Sequence, residues 1–243
     1  MNEDALAQCQ NELSQEKKQF EEFIYLVSHD LNAPIRAISN LSVWIAEDLG
    51  NDIPADVKQH INLLQARTQL LERMLGAILT LSRVARTDLE IGYVELLPFL
   101  EKLSNPFRKE QVSVSIQIRS VVPGLITYYQ KLQTVLSELI TNAILHTDKE
   151  KVNIAVVVTQ TGEFLKFEII DNGPGLPADV SERIFSLFYT AKGKEGNQNI
   201  GAGLTIAKKI ANFVGGQLAV DIPPEGLGCS FVLYWPRKEP EKV

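Results

Sequence analysis

The sequence predicts an α plus α/β chain: a helical hairpin suited to complete a four-helix bundle, followed by an α/β sandwich. Between Ala5 and Arg86, apolar residues recur at steps of three and four, and glycine occurs only at Gly50 and Gly76, as in long amphipathic helices. The run Leu49-Gly50-Asn51-Asp52-Ile53-Pro54 joins a C-cap glycine to an Asp and Pro start signal, which folds the first helix back onto a second. After Arg86, short β-branched runs alternate with helical patterns, the mark of a mixed sheet with helices packed on it.

In the first helix the expected apolar stripe is Phe20, Ile24, Val27, Leu31, Ile35, Ile38, Leu41, Ile45 and Leu49; in the second it is Val57, Ile61, Leu64, Leu71, Leu75, Ile78 and Leu81 or Ser82. One hairpin is half of a four-helix core, so a second hairpin is needed to close it. Upstream, Leu6, Leu13 and Phe20 repeat at sevens, which fits either a short parallel coiled coil or a frayed polar helix. The expected strands are Val112 to Ile118, Val152 to Thr159, Phe164 to Ile170, Gln217 to Ile222 and Cys229 to Tyr234, with helices at Gln130 to His146 and Leu204 to Val214. The domain ranges that follow are 1–20 for the entry segment, 21–88 for the hairpin and 92–238 for the sandwich, with the junction near Thr87 to Gly92.

The 243 residues hold 24 Lys and Arg against 30 Asp and Glu, a net charge of −6. The cations are scattered, which argues against a nucleic-acid partner. Cys9 and Cys229 have no CxxC or His-rich companion, so neither a zinc site nor a disulfide framework is suggested, and a reducing cytoplasm fits best. No apolar run approaches the ~20 residues of a membrane helix, and the first ten residues, MNEDALAQCQ, do not form a signal peptide.

Two constellations carry chemistry. At about 100° per residue His29 points away from the apolar stripe and into water, where a lone histidine is ordinarily a plain surface residue. Here Asp30 can accept a hydrogen bond from one ring nitrogen, which leaves the other as a nucleophile. Pro34 also loosens the helix within a turn, because it cannot donate to the carbonyl of residue 30. In the second constellation Glu138, Asn142 and His146 share one helix face. The Asn142 side-chain oxygen suits Mg²⁺, and His146 can reach a phosphate oxygen. Asp171-Asn-Gly173-Pro-Gly175 then ends a strand in a carboxylate that can accept from an exocyclic amine, beside glycines that admit a flat ring. Ile184, Phe185 and Phe188 add aromatic and apolar anchors; Ala191 to Ile200 reads as a mobile lid; Gly201-Ala-Gly203-Leu204 opens a helix whose amides can hold polyphosphate.

Taken together, these residues resemble the sensor histidine kinases. Ser28-His29-Asp30-Leu31 with Pro34 is similar to their phosphoacceptor box, Glu138 to Thr147 to the asparagine box, Asp171 to Gly175 and Gly201 to Leu204 to the two glycine boxes, and Ile184-Phe185 with Phe188 to the phenylalanine box. SHDLNAP followed by IR further resembles the phytochrome-type subgroup. The resemblance implies a Bergerat-type ATP-binding domain and a homodimer built on the four-helix bundle. It implies phosphorylation of His29 with Asp30 assisting proton removal, Mg²⁺ on Asn142 and the adenine amine on Asp171. Gly173, Gly175, Gly201 and Gly203 would shape the nucleotide pocket, with Ile184, Phe185, His146, Lys192, Leu204 and Thr205 as further ATP contacts. The next phosphoryl acceptor would be the aspartate of a response-regulator receiver domain, and an upstream sensor domain is expected to be either absent or supplied by a longer protein. Bifunctional relatives often carry Thr or Asn four residues after the histidine; here Ala33 cannot orient water, so weak phosphatase activity is expected. A competing reading keeps the pocket but has Glu138 activate water for ATP hydrolysis.

Overall fold

The computed structural model describes residues 2–50, 53–190, 199–221 and 228–237. Asn51 and Asp52 of the reversal, residues 191–198 of the expected lid, Ile222, and residues 238–243 lie outside them. The chain divides into two compact units, Met1–Arg83 and Val84–Val243.

The first unit is a pair of helices, α1 (Asn2–Leu49) and α2 (Ala55–Arg83). Their antiparallel register follows from two links: Gln65 Nε2 donates to the Ser42 carbonyl at 3.4 Å, and Arg83 lies over the Tyr25 ring. Gly50 ends α1 with φ 63°, and its amide donates to the Glu47 carbonyl at 3.1 Å, a left-handed stop that glycine adopts without a Cβ penalty. Helix α1 runs through Pro34.

The seam between α1 and α2 differs from the expected stripe. Its buried positions include Ser28, Ser42, Thr68 and Ser82 along with Ile61 and Leu75. The hydroxyls of Ser42, Thr68 and Ser82 donate to carbonyls of their own helix, at 2.6 Å from Ser42 to Ser39, so burying them leaves no orphan donor. Most of the large apolar residues of the stripe face outward instead: Leu41 is 52% exposed, and Phe20, Val27, Leu31, Ile38, Ile45, Leu49, Leu64 and Leu71 are also exposed. Small side chains let the paired helices approach closely, and the bulky ones cover a second face.

The second unit holds a five-stranded sheet in the order β2-β4-β5-β7-β6: Val112–Arg119, Val152–Thr161, Phe164–Asp171, Ser230–Pro236 and Gln217–Asp221. Strands β2 and β4 are parallel and the other pairs antiparallel. Helices α4 (Tyr129–Leu145) and α5 (Gly203–Phe213) bury Leu132, Leu136, Leu139, Ile140, Ala207 and Ala211. In β5, buried Leu165, Phe167 and Ile169 alternate with Lys166 and Glu168, which pair at 2.9 Å; a strand with one covered face has this period. Three further elements were not expected from the sequence: β1 (Ile91–Glu95), α3 (Leu96–Ser104) and β3 (Gly124–Tyr128), with β1 and β3 forming a separate antiparallel pair.

Two buried polar contacts fasten the second unit. Trp235, fully buried in β7, donates from its indole nitrogen to Thr127 Oγ1 of β3 at 2.8 Å, which links the two sheets. Lys131 of α4 donates to the carbonyls of Val84 and Thr87 at 2.5 and 2.9 Å and lies 4.8 Å from the Phe213 ring centroid. Burial lowers the Lys131 pKa, with the Asp88 carboxylate opposing the shift. Residues 84–87 are thereby tied to α4. Replacing Thr127 by the near-isosteric Val strands the indole N–H, and the unfolding free energy from denaturant titration is expected to fall by about 1–3 kcal/mol.

Candidate functional site

His29 sits on α1 one residue beyond the seam at Ser28, with its side chain 69% exposed. Its Nδ1 lies 3.2 Å from Asp30 Oδ1, so the neighbouring carboxylate adopts the rotamer that the pairing requires. If Nδ1 carries the proton and donates to Asp30, Nε2 keeps its lone pair. Asn32 Nδ2 donates to the Ser28 carbonyl at 3.0 Å, which leaves Ala33 as an exposed, apolar position near the histidine.

The second unit contains an open cleft of about 820 Å³, counting the solvent at its mouth. Its floor is the α4 face that carries Glu138, Asn142 and His146; Asp171 comes from the end of β5, and Gly201, Gly203 and Leu204 come from the start of α5. The C-terminus of α4 is at Leu145, and His146 is its C-cap residue, whose amide donates to the Asn142 carbonyl at 3.1 Å.

Asp171 is held more tightly than any strand end requires. Its amide donates to the Cys229 carbonyl at 3.0 Å, and its Oδ1 accepts from the amides of Gly173 at 2.8 Å and Cys229 at 3.2 Å. Burial raises the Asp171 pKa, while the Gly173 and Cys229 amides and His146 pull it down. Two glycines make the clamp possible. Gly228, at φ 80°, packs so close to the Asp171 carbonyl that any Cβ would collide with backbone, and Gly175, at φ 81°, faces the Gly228 carbonyl.

At the other end of the cleft, Gly201 (φ 68°) lies against the Tyr189 backbone, and its carbonyl accepts from the Phe188 amide at 2.9 Å. Among the described residues no side chain caps α5, which leaves its first-turn amides for a ligand in the cleft that Gly203 and Leu204 line. The Glu138 carboxylate packs on the Gly203 Cα, and burial raises its pKa.

Of the residues anticipated from sequence, Asn142, His146, Asp171, Gly175, Ile184, Gly201, Gly203 and Leu204 line this one cleft. Gly173, Phe185 and Thr205 do not. Gly173 stands behind Asp171 as a donor, Thr205 Oγ1 donates to the Phe185 carbonyl at 2.9 Å, and Lys208 Nζ lies 4.4 Å from the Phe185 ring centroid. These three support the walls. Lys192 lies outside the described residues. The sequence reading missed Tyr189, Thr190, Asn199 and Cys229, which also line the cleft; they come from loops and a strand end, where no periodicity marks them.

Residues 127–239 match the family described as histidine kinase-, DNA gyrase B- and HSP90-like ATPases. That match spans all of the cleft residues and stops short of the hairpin. Across both units, the chain is 33% identical over 225 residues to cyanobacterial phytochrome B of Nostoc sp., covering 90% of this chain and 30% of that protein. By these likenesses the chain resembles the transmitter core of the sensor histidine kinases. It also shares its fold with full-length ShkA in complex with AMPPNP (TM-score 0.66, 18% identity, 91% of this chain and 47% of that one). The histidine kinase ThkA, in complex with the response regulator protein TrrA, gives a TM-score of 0.63 at 19% identity, over 94% of this chain and 66% of that one.

The raised Glu138 pKa has a thermodynamic consequence. A carboxyl whose folded pKa exceeds its unfolded value contributes full stability below the unfolded pKa and loses it as pH rises through the folded one. For the nucleotide-free chain, Tm is therefore expected to fall as pH climbs from the ordinary carboxylate range toward neutrality. In Glu138→Gln that slope is shallower and the neutral-pH Tm higher by a few degrees, as read by calorimetry at several pH values.

Proposed function

We propose that the chain is an ATP-dependent protein histidine kinase that phosphorylates its own His29 and passes the phosphoryl group to an aspartate of a response-regulator receiver domain. The observation that carries this reading is an oriented, exposed imidazole in the same chain as an Asp171-anchored cleft. ATP fits the cleft on physical grounds. With Asp171 Oδ1 engaged by two amides, the second oxygen serves the adenine amine, and Gly175 lets the ring lie against backbone. The α5 amides take phosphate oxygens.

Among the described residues, no group of three or more His, Cys, Asp or Glu is placed to hold a metal ion. The donors offered by α4, Asn142 and Glu138, suit an ion such as Mg²⁺, which keeps waters and fills its shell with substrate phosphates. When bound, Mg²⁺ supplies neutralisation of charge on those phosphates.

In the transfer step His29 Nε2 attacks the γ-phosphorus. The N–P bond forms, the bond from that phosphorus to the β,γ-bridging oxygen breaks, and ADP leaves with the electron pair. Asp30 accepts the Nδ1 proton of the resulting imidazolium. A receiver aspartate then attacks phosphorus, Asp30 returns its proton to Nδ1 as the P–N bond breaks, and His29 leaves as neutral imidazole. The exposed apolar face of the hairpin supports a homodimer with a four-helix core. No described helix is long and apolar enough to cross a membrane, and the proposed site of action is the cytoplasm.

The test is incubation with Mg²⁺ and γ-labelled ATP. Acid-labile label that vanishes in His29→Gln is the expected result; phosphate release without protein label would instead favour hydrolysis through Glu138. In calorimetric titration, Asp171→Asn should weaken ATP binding by roughly 10- to 100-fold, the loss of a hydrogen bond to a charged group, with the fold retained by circular dichroism.

A further inference from the structure

The proposed mechanism orients His29 through Asp30 alone, yet adjacent residues on a helix diverge by about 100°, and both side chains stand in water. An exposed imidazole with one such contact samples several rotamers. The hairpin supplies a second contact that the mechanism has not used. Tyr25 lies one turn before His29 on the same face, and its ring centroid is 6.2 Å from that of the imidazole, with the planes tilted by 31°. That is within the range of an attractive aromatic pair. Tyr25 is half-buried, whereas its neighbours Phe23 and Leu26 are exposed.

Tyr25 is held in turn from the other helix. Arg83, the last residue of α2, places its guanidinium carbon 4.6 Å from the Tyr25 ring centroid, a cation over an aromatic face. Arg83, Tyr25, His29 and Asp30 thus form a row within the first unit. The guanidinium pins the phenol ring, the ring flanks the imidazole, and the carboxylate binds Nδ1.

Resting on the proposed kinase reading, we propose that Tyr25 is a positioning residue for phosphorylation of His29. It restricts the imidazole to the rotamer in which Nδ1 meets Asp30 and Nε2 points outward, and Arg83 anchors it there. The ring is the working part, so Phe substitutes for Tyr. Because Arg83 is the residue that ends α2, a shift of that helix end would reach the imidazole through Tyr25.

The experiment uses the whole chain with Tyr25→Leu, Tyr25→Phe and Arg83→Gln. Leu favours helix and keeps apolar bulk, so the hairpin is retained, with Tm as a check. Two phosphoryl donors are compared: Mg²⁺-ATP, and phosphoramidate, a small donor that needs no nucleotide cleft. The ¹⁵N resonances of the His29 ring report its tautomer. The expected result for Tyr25→Leu is a kcat with ATP lower by roughly 10- to 100-fold, the size of a misplaced nucleophile. Its KM for ATP stays unchanged, labelling by phosphoramidate slows, and the ring shifts from a dominant Nδ1–H form to a mixture. Tyr25→Phe stays near wild type, and Arg83→Gln falls between. A merely structural tyrosine would move Tm and leave the tautomer alone. Wild-type rates and tautomer in Tyr25→Leu overturn the proposal, as does Tyr25→Phe being as impaired as Tyr25→Leu. If the wild type takes label from phosphoramidate but never from ATP, the kinase reading fails. Tyr25-dependence of the phosphoramidate reaction then decides this proposal separately.

Discussion

The cleft depends on a carboxylate fixed at the end of a central strand. Strand β5 lies between β4 and β7, so Asp171 inherits its position from ladders on both sides before any loop is considered. Two backbone amides then fix Oδ1, and Gly228 allows the β7 chain to close on it without a Cβ in the way. A charged group this enclosed is costly unless hydrogen-bonded, and the opposing influences on its pKa record that balance. The remaining walls hang on the same frame. Helix α4 packs on the sheet and brings Glu138, Asn142 and His146 to one side, and the Gly203 start of α5 is set by contact with the Glu138 carboxylate.

The two units meet opposite demands. The α/β unit is finished within itself, with β4, β5 and β7 burying aliphatic and aromatic residues under α4 and α5. The hairpin spends its inward face on serine and threonine hydroxyls that bond their own helices, and it keeps Leu41, Trp44 and Ile45 outside. Such a face loses free energy to water until something covers it. One unit thus closes its own core, while the other leaves an apolar face uncovered.

Much of this was legible in the sequence, and the exceptions have physical causes. The strands of the main sheet carry β-branched runs, so all five were visible to within a residue or two. Strands β1 and β3 and helix α3 were not, because Ile91–Glu95 is short, Gly124–Tyr128 lacks alternation, and Pro98 interrupts the helical pattern. The hairpin was readable from its period, but its seam was not. Periodicity marks where apolar residues lie, and here the small polar residues pack inward. For the cleft, residues chosen for chemistry, such as Asn142 and Asp171, were visible because their type is unexpected at those positions. Phe185 and Thr205 show the limit of that approach: one belongs to a recognisable box and the other directly follows one, yet they bond to each other through Thr205 Oγ1. Cys229 gave no sign, because its place opposite Asp171 arises from strand pairing across almost 60 residues of chain.

That cysteine has a consequence for inhibitor chemistry. Cys229 lines the cleft beside Asp171, but burial, helped by the neighbouring carboxylate, pushes its thiol up to about 12. The nucleophile in alkylation and oxidation is the thiolate, which is scarce at neutral pH at such a site. Electrophilic warheads and mild oxidants would therefore pass this sulfur by, while Cys9, exposed on α1, offers them a more accessible target. Ligands for this cleft would gain little from a tether to Cys229 and more from shape and from hydrogen bonding to Asp171.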